Sequence, residues 1–247
     1  MRPFLLTLTL ISASSAFSGA AWGQSLTGNV GSAGISAGDR SVEARAGMDD
    51  EGNLGSRIHY DQALTGWYQF RVIAAFERPD AGEADFSGVT LENWFQWSEE
   101  SSDGKGFNGG VRFAYTLTDD GEPDEAAVRL TLTDKFAGVW EWRANAIAEM
   151  ETGGGRQDGA GLETRLQLTR ALNSSLLGTT DWRLGAELFS EYGNTEDIPQ
   201  LSDQAHQLGP VLKAEWDNGV FLQAALRRGL TDGADDWMGK IFIGREF

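Results

Sequence analysis

Cysteine is absent from this 247-residue chain, which excludes disulfides, thiolate metal sites and a lipid-modified cysteine together. Histidine is almost absent: His59 and His206 are the only two, and methionine numbers 4. That poverty excludes the His- and Met-rich chemistry of metal-handling barrels. Beyond the first two dozen residues no apolar run approaches the ~20 residues of a transmembrane helix, and mean hydropathy is −0.33. Basic residues are scarce as well. Lys and Arg total 20 against 37 Asp and Glu, for a net charge of −17, and no basic stripe offers itself to phosphates. A nucleic-acid partner is thereby excluded. With 32 Gly and 5 Pro, the chain suits sheets and turns better than helices.

The opening residues carry an export signal. Arg2 supplies the positive start, residues 4–11 the apolar stretch, and Ala21-Trp22-Gly23 a small-x-small cleavage pattern before Gln24. Residues 1–23 are expected to be removed. Residues 24–39 are rich in Gly, Ser and Ala and nearly uncharged, and they read as a flexible periplasmic tail or a small plug. Residues 40–247 form the folded domain.

There the dominant signal is period-2 alternation. In the segment 68–77, Tyr68, Phe70, Val72, Ala74 and Phe76 share one face, while Gln69, Arg71 and Glu77 share the other. Segments 111–117, 128–133 and 162–168 repeat the pattern. Counting all such segments gives about twelve strands, near 40–48, 54–62, 67–77, 89–98, 107–118, 126–134, 139–151, 160–170, 182–192, 205–216, 220–230 and 238–247, with ten as the fallback. An all-β chain of even strand count, strands of about ten residues and low mean hydropathy fits one membrane solution. It is a transmembrane antiparallel up-and-down β-barrel, apolar outside and polar inside.

Orientation follows from the last strand, which ends in Phe247 and is expected on the periplasmic side. Asp217-Asn218-Gly219 then becomes a tight periplasmic hairpin turn. The connections near 77–88, 119–125, 152–159, 193–204 and 231–236 face outward and are mostly acidic. The connections 99–106 and 171–181 are longer than periplasmic turns usually are. Tyr60, Tyr68, Trp97, Trp142, Trp182, Trp216 and Phe247 all fall at periplasmic strand ends with outward parity, as a membrane-girdle of aromatics requires.

The opposite face carries both signs of charge. Arg57, Arg71, Arg112, Arg129, Arg143, Arg165, Arg183, Arg227, Glu141, Glu163, Glu187 and Lys213 are the lumen-lining candidates. On the lipid side each Arg or Lys would cost ~2–4 kcal/mol at mid-membrane; inside a wet or plugged lumen the cost is small. Two readings stand side by side: a selectivity lining, or Arg–Glu pairs that cross the lumen and stiffen it. No catalytic residue is assigned. Outer-membrane phospholipases and lipid A deacylases pair His and Ser two residues apart on a lipid-facing strand, and no His-x-Ser occurs here. No metal ligands and no cofactor are assigned either. Acidic loops such as 119–125 lack the spacing of a dedicated calcium loop.

Leu208-Gly209-Pro210-Val211-Leu212, the run 219–226, Gly229-Leu230-Thr231-Asp232 and the final Arg245-Glu246-Phe247 resemble the closing hairpins of small proteobacterial outer-membrane barrels grouped as transporters or porin-like proteins. The resemblance covers about the last 40 residues. It implies the Gram-negative outer membrane as location, with lipid and lipopolysaccharide around the barrel. It also implies that the barrel-assembly machinery reads Phe247. The expected function is a narrow channel or binding barrel for a small hydrophilic solute of unknown identity. A non-conducting accessory barrel with a periplasmic partner is the alternative; an outer-membrane enzyme or a soluble lipocalin-like barrel stands further off.

Overall fold

The computed structural model describes residues 26–78, 82–99, 106–119, 121–172 and 176–247. The export segment expected over 1–23 and the first residues of the Gly/Ser-rich stretch lie outside the described residues. Twelve antiparallel strands follow one another: β1 (Arg40–Asp49), β2 (Leu54–Ala63), β3 (Tyr68–Arg78), β4 (Asp85–Ser98), β5 (Asn108–Thr118), β6 (Asp124–Phe136), β7 (Trp140–Thr152), β8 (Gly161–Leu172), β9 (Thr179–Asn194), β10 (Ala205–Trp216), β11 (Val220–Gly229) and β12 (Trp237–Glu246). Each pairs with its sequence neighbours, and β1 closes on β12 from Ser41↔Glu246 to Asp49↔Met238. The sheet therefore has no free edge to template aggregation.

Alternation sorts the side chains as the period-2 pattern predicts. In β12, Ile241 and Ile243 are 52% and 54% exposed on the outer wall, while Met238 and Phe242 between them are 1% exposed inside. Leu91, Phe113, Leu117, Leu130, Leu166, Leu184 and Leu226 stand outward on the other strands. A continuous apolar mantle of this kind far exceeds the few hundred Å² that a water-soluble monomer exposes. Hydrocarbon is the solvent that suits it.

The two ends of the barrel differ. At the closing end, where β1 begins and β12 finishes, aromatic rings crowd the outside. Tyr68 and Phe95 stack at 5.1 Å, Trp67 and Phe95 at 6.2 Å, and Phe136 and Trp140 at 6.2 Å. All seven sequence-predicted rings sit at this end, Tyr60, Trp97 and Phe247 exposed, Tyr68, Trp142, Trp182 and Trp216 half-buried. The opposite loop end carries fewer rings, with Phe76 against Phe86 and Tyr192 against His206, each at 5.7 Å, as its close pairs among the described residues.

Three strands run longer than alternation alone suggests. β4 starts at Asp85 because the pairing passes through Gly88 by a register shift opposite Ala75 and Phe76. β6 extends to Asp124 and Phe136, partners of Thr152 and Trp140. β9 starts at Thr179, paired with Trp216 across a bulge. The connection expected over 171–181 accordingly shrinks to 173–178, whereas the one after β4 stays long.

Candidate functional site

Residues that share the inner face of a strand are two apart, about 6.6 Å along the chain, a span that an arginine reaches by lying along the strand. Four acid-x-Arg triplets use this reach: Glu43 with Arg45 at 2.9 Å, Glu141 with Arg143 at 2.7 Å, Glu163 with Arg165, and Asp181 with Arg183 at 3.5 Å. Among the described residues, four of the nine ion pairs of the wall therefore run along single strands. The pairing that does reach across strands is concentrated in two clusters.

The first cluster centres on Glu187 of β9. Lys240 Nζ of β12 lies 2.5 Å from its carboxylate, Arg227 Nε of β11 lies 3.8 Å away, and Gln167 Nε2 of β8 donates at 3.3 Å. The cations also stack on rings. The Arg227 guanidinium sits 3.7 Å from the Phe189 centroid, and Lys240 Nζ lies 4.3 Å from Phe189 and 5.4 Å from Phe242. Glu187 and Arg227 are each 1% exposed. A buried charge is tolerable only when so surrounded. The second cluster is a relay over β2 to β5. Asp61 accepts from Arg71 at 2.5 Å, Arg71 reaches Glu92 at 3.3 Å, and Arg112 lies 3.7 Å from Glu92 with its guanidinium 3.7 Å above Trp94.

Residues 26–38 lie inside the barrel, held through their backbone. Gly31 donates its N–H to Asn145 Oδ1 at 2.7 Å and accepts from Asn145 Nδ2 at 3.2 Å. Ala33 N–H donates to Thr133 Oγ1 at 3.1 Å, and Ile35 N–H to Gln96 Oε1 at 2.8 Å. The wall's cations take the carbonyls: Lys240 that of Gly28 at 2.8 Å, Arg165 that of Asn29 at 3.2 Å, and Arg112 that of Ser32 at 3.3 Å. The amides of Gly31, Ala33 and Ile35 thus find side-chain partners in the wall, as burial demands. At Gly31 a Cβ would stand 2.8 Å from Arg112, and at Gly47 of β1 it would overlap the Leu26 carbonyl. Ile35 packs against Trp94 and Ala63 near the closing end.

One part of the lumen remains open. A cavity of about 460 Å³ lies against β2 to β7, lined by charged Arg57, Glu92, Arg112, Glu125, Arg129 and Glu149 among others. A second of about 290 Å³ shares Arg57, Thr90, Thr116 and Glu125 and continues to Glu77, Ser87 and Thr118 near the loop end.

Every lumen-lining candidate is buried or half-buried, and they fall into distinct settings. Arg143, Arg165 and Arg183, with Glu141 and Glu163, sit in the same-strand pairs; Arg71 and Arg112 belong to the relay; Arg227 and Glu187 to the ring-stacked cluster. Arg57 and Arg129 face the cavity. Lys213 is buried on β10 and makes no ion pair among the described residues. Sequence reasoning passed over Trp94, Asn145, Thr133 and Asp61. Their inward parity among charges was the available signal, and the recurring acid-x-Arg triplet was the signal for the pairs.

His59 is 1% exposed inside the barrel with both ring nitrogens unpartnered. His206 faces outward at the loop end, with Nε2 3.2 Å from Gln204 Oε1 and its ring against Tyr192. Its register partner is Ser190, yet no hydroxyl is hydrogen-bonded to either imidazole ring among the described residues. Nor does any group of three or more His, Asp or Glu in the described residues gather as metal ligands. In the loop before β12, Asp235 has its pKa pushed up to about 6, first by burial and then by the repulsion of Asp49, Asp50 and Glu51; a hydrogen bond from Gln207 opposes the shift.

A closed twelve-stranded barrel with an apolar outer wall, an aromatic belt and a charged interior is a transmembrane β-barrel of the outer-membrane type. No protein-family model matches the chain, and no curated protein does. Solved structures match in fold. An outer-membrane channel from Pseudomonas putida F1 superposes with a TM-score of 0.61 at 11% identity, covering 86% of this chain and 97% of that one. The KdgM porin, in complex with disordered oligogalacturonate, gives 0.56 at 10% identity, covering 84% and 98%. At these identities the likeness is one of fold.

Proposed function

We propose that this chain is an outer-membrane barrel that binds small hydrophilic solutes and passes them when residues 26–38 give way. One observation carries the reading: the segment in the lumen is held mainly by polar side-chain heads on its backbone. Lys240, Arg165 and Arg112 grip carbonyl oxygens, and a solute rich in oxygen acceptors competes for the same donors. Such exchange between hydrogen-bond partners is nearly isoenergetic in a wet lumen, whereas an apolar plug would resist it. The Ile35 contact with Trp94 and Ala63 then serves as the fixed end, so the segment yields from the loop end. The closing end, with its belt of rings, faces the periplasm, and the acidic loops face out toward lipopolysaccharide. The channel structures of the same fold support this by analogy. The reading includes no chemical step at either histidine.

Planar-bilayer recordings test it. The full barrel is expected to carry small, intermittent currents, and a variant lacking residues 26–37 large and steady ones. If neither conducts above background while both migrate as folded barrels, the channel reading fails and a closed accessory barrel takes its place.

A further inference from the structure

We infer that the open half of the lumen, walled by β2 to β7, is a binding site for a small solute bearing both a carboxylate and an ammonium group, of the amino-acid or short-peptide class. This rests on the solute-barrel reading above and names its ligand.

The two halves of the lumen treat charge differently. On the β8 to β12 side, Arg165, Arg183, Arg227 and Lys240 engage acids, two of them stacking closely on Phe189, and Lys213 alone of the buried cations there makes no ion pair among the described residues. On the other side Arg57 and Arg129 line the 460 Å³ cavity and make no hydrogen bond or ion pair among the described residues. Glu149 lines the same cavity and is equally unpaired. Its strand partner is Ala127, two residues from Arg129, so opposite charges face one space without closing on each other. Two guanidiniums and a carboxylate kept apart in a confined lumen are costly unless something between them answers both signs.

A simple anion would meet Glu149 and Glu125, and a simple cation would meet Arg57 and Arg129. A zwitterion satisfies both sets. The smaller cavity leads from it toward the loop end, and Arg112, bonded to Ser32, ties its floor to the segment in the lumen. A solute entering from outside therefore binds before it reaches the residues that must move.

Titration calorimetry on the purified full-length barrel tests this, using L-alanine, L-glutamine and glycylglycine, each beside its N-acetylated and C-amidated form. At least one zwitterion is expected to bind. Blocking either of its ends should weaken binding about tenfold or more, the scale of one charged hydrogen bond. Arg57→Gln and Arg129→Gln should each produce a similar loss, with Arg228→Gln, on the outer wall, as the unaffected control. Heat-modifiable gel mobility confirms that each variant is folded. Binding of an N-acetylated probe as tight as its parent overturns the inference, and so does the absence of binding by every probe. If the variant lacking residues 26–37 still conducts potassium chloride while no zwitterion binds, the channel reading stands and this inference alone falls.

Discussion

Asn145→Ala is the sharpest test of how the barrel is closed. Asn145 is 2% exposed, and its side-chain amide meets Gly31 as a neighbouring strand would, accepting at 2.7 Å and donating at 3.2 Å. Truncation leaves the Gly31 N–H and carbonyl buried without those partners. Each orphaned group costs ~1–3 kcal/mol, so the segment's docking weakens by about 2–4 kcal/mol once water recovers part of the loss. The barrel itself keeps its ladder, since Asn145 pairs with Thr131 and Arg165 through backbone alone. With 1.4 kcal/mol per factor of ten, the undocked population should rise roughly 30- to 700-fold. Thr133→Val removes the acceptor for Ala33 N–H and should give a smaller shift of the same sign. Because both residues hold one segment, the double variant should exceed either alone. The assay is single-channel open probability beside protease cleavage within residues 26–38, with whole-barrel melting as control. Unchanged open probability and cleavage in the double variant would refute the view that these bonds keep the segment in place.

Other expectations follow from separate features. Gly47→Ala places a Cβ on the Leu26 carbonyl, a backbone atom that no rotamer can move aside; overpacking costs ~1–3 kcal/mol, and cleavage near Leu26 should rise while cleavage near Ile35 does not. Ile241→Arg puts a charge on the outer wall near the middle of β12, where lipid exacts ~2–4 kcal/mol; folding yield into vesicles should drop, and equal yield would mean that this wall does not face hydrocarbon. Asp235 binds its proton more tightly folded than unfolded, so its contribution to loop stability is complete below the ordinary Asp range near pH 4 and is lost as pH rises through about 6. Asp235→Asn should flatten that dependence and protect the loop at pH 7 to 8, as read by hydrogen exchange over residues 230–236.

The barrel was legible because its solvent changes at every residue. A strand with lipid on one side and charge on the other writes its geometry as alternation, and β3 or β12 can be placed almost to the residue. Legibility fades where alternation is interrupted although pairing continues, as at Gly88 in β4 and before Trp182 in β9. The parity of Arg57, Arg129 and Glu149 was readable, but their lack of partners was not. Whether two inward charges meet depends on which strands face each other around a closed ring, and no spacing along the chain encodes that.

The segment in the lumen shows the same limit from the other side. Residues 26–38 carry no periodicity because their partners surround them: Lys240 on β12, Arg165 on β8, Asn145 on β7, Thr133 on β6, Arg112 on β5 and Gln96 on β4. A chain gripped from all sides buries Leu26, Val30, Ala33 and Ile35 without a single apolar face, so it marks itself by size. Glycine, serine and alanine fit between arginine heads where larger side chains would collide, as Gly31 does beneath Arg112. The composition that reads as a linker in isolation is therefore what a charged, narrow lumen requires of anything lying inside it. It also explains why the wall can hold so many cations. Part of their charge is answered by the carbonyls of the segment, and removing it must either admit a solute or leave Lys240, Arg165 and Arg112 to water.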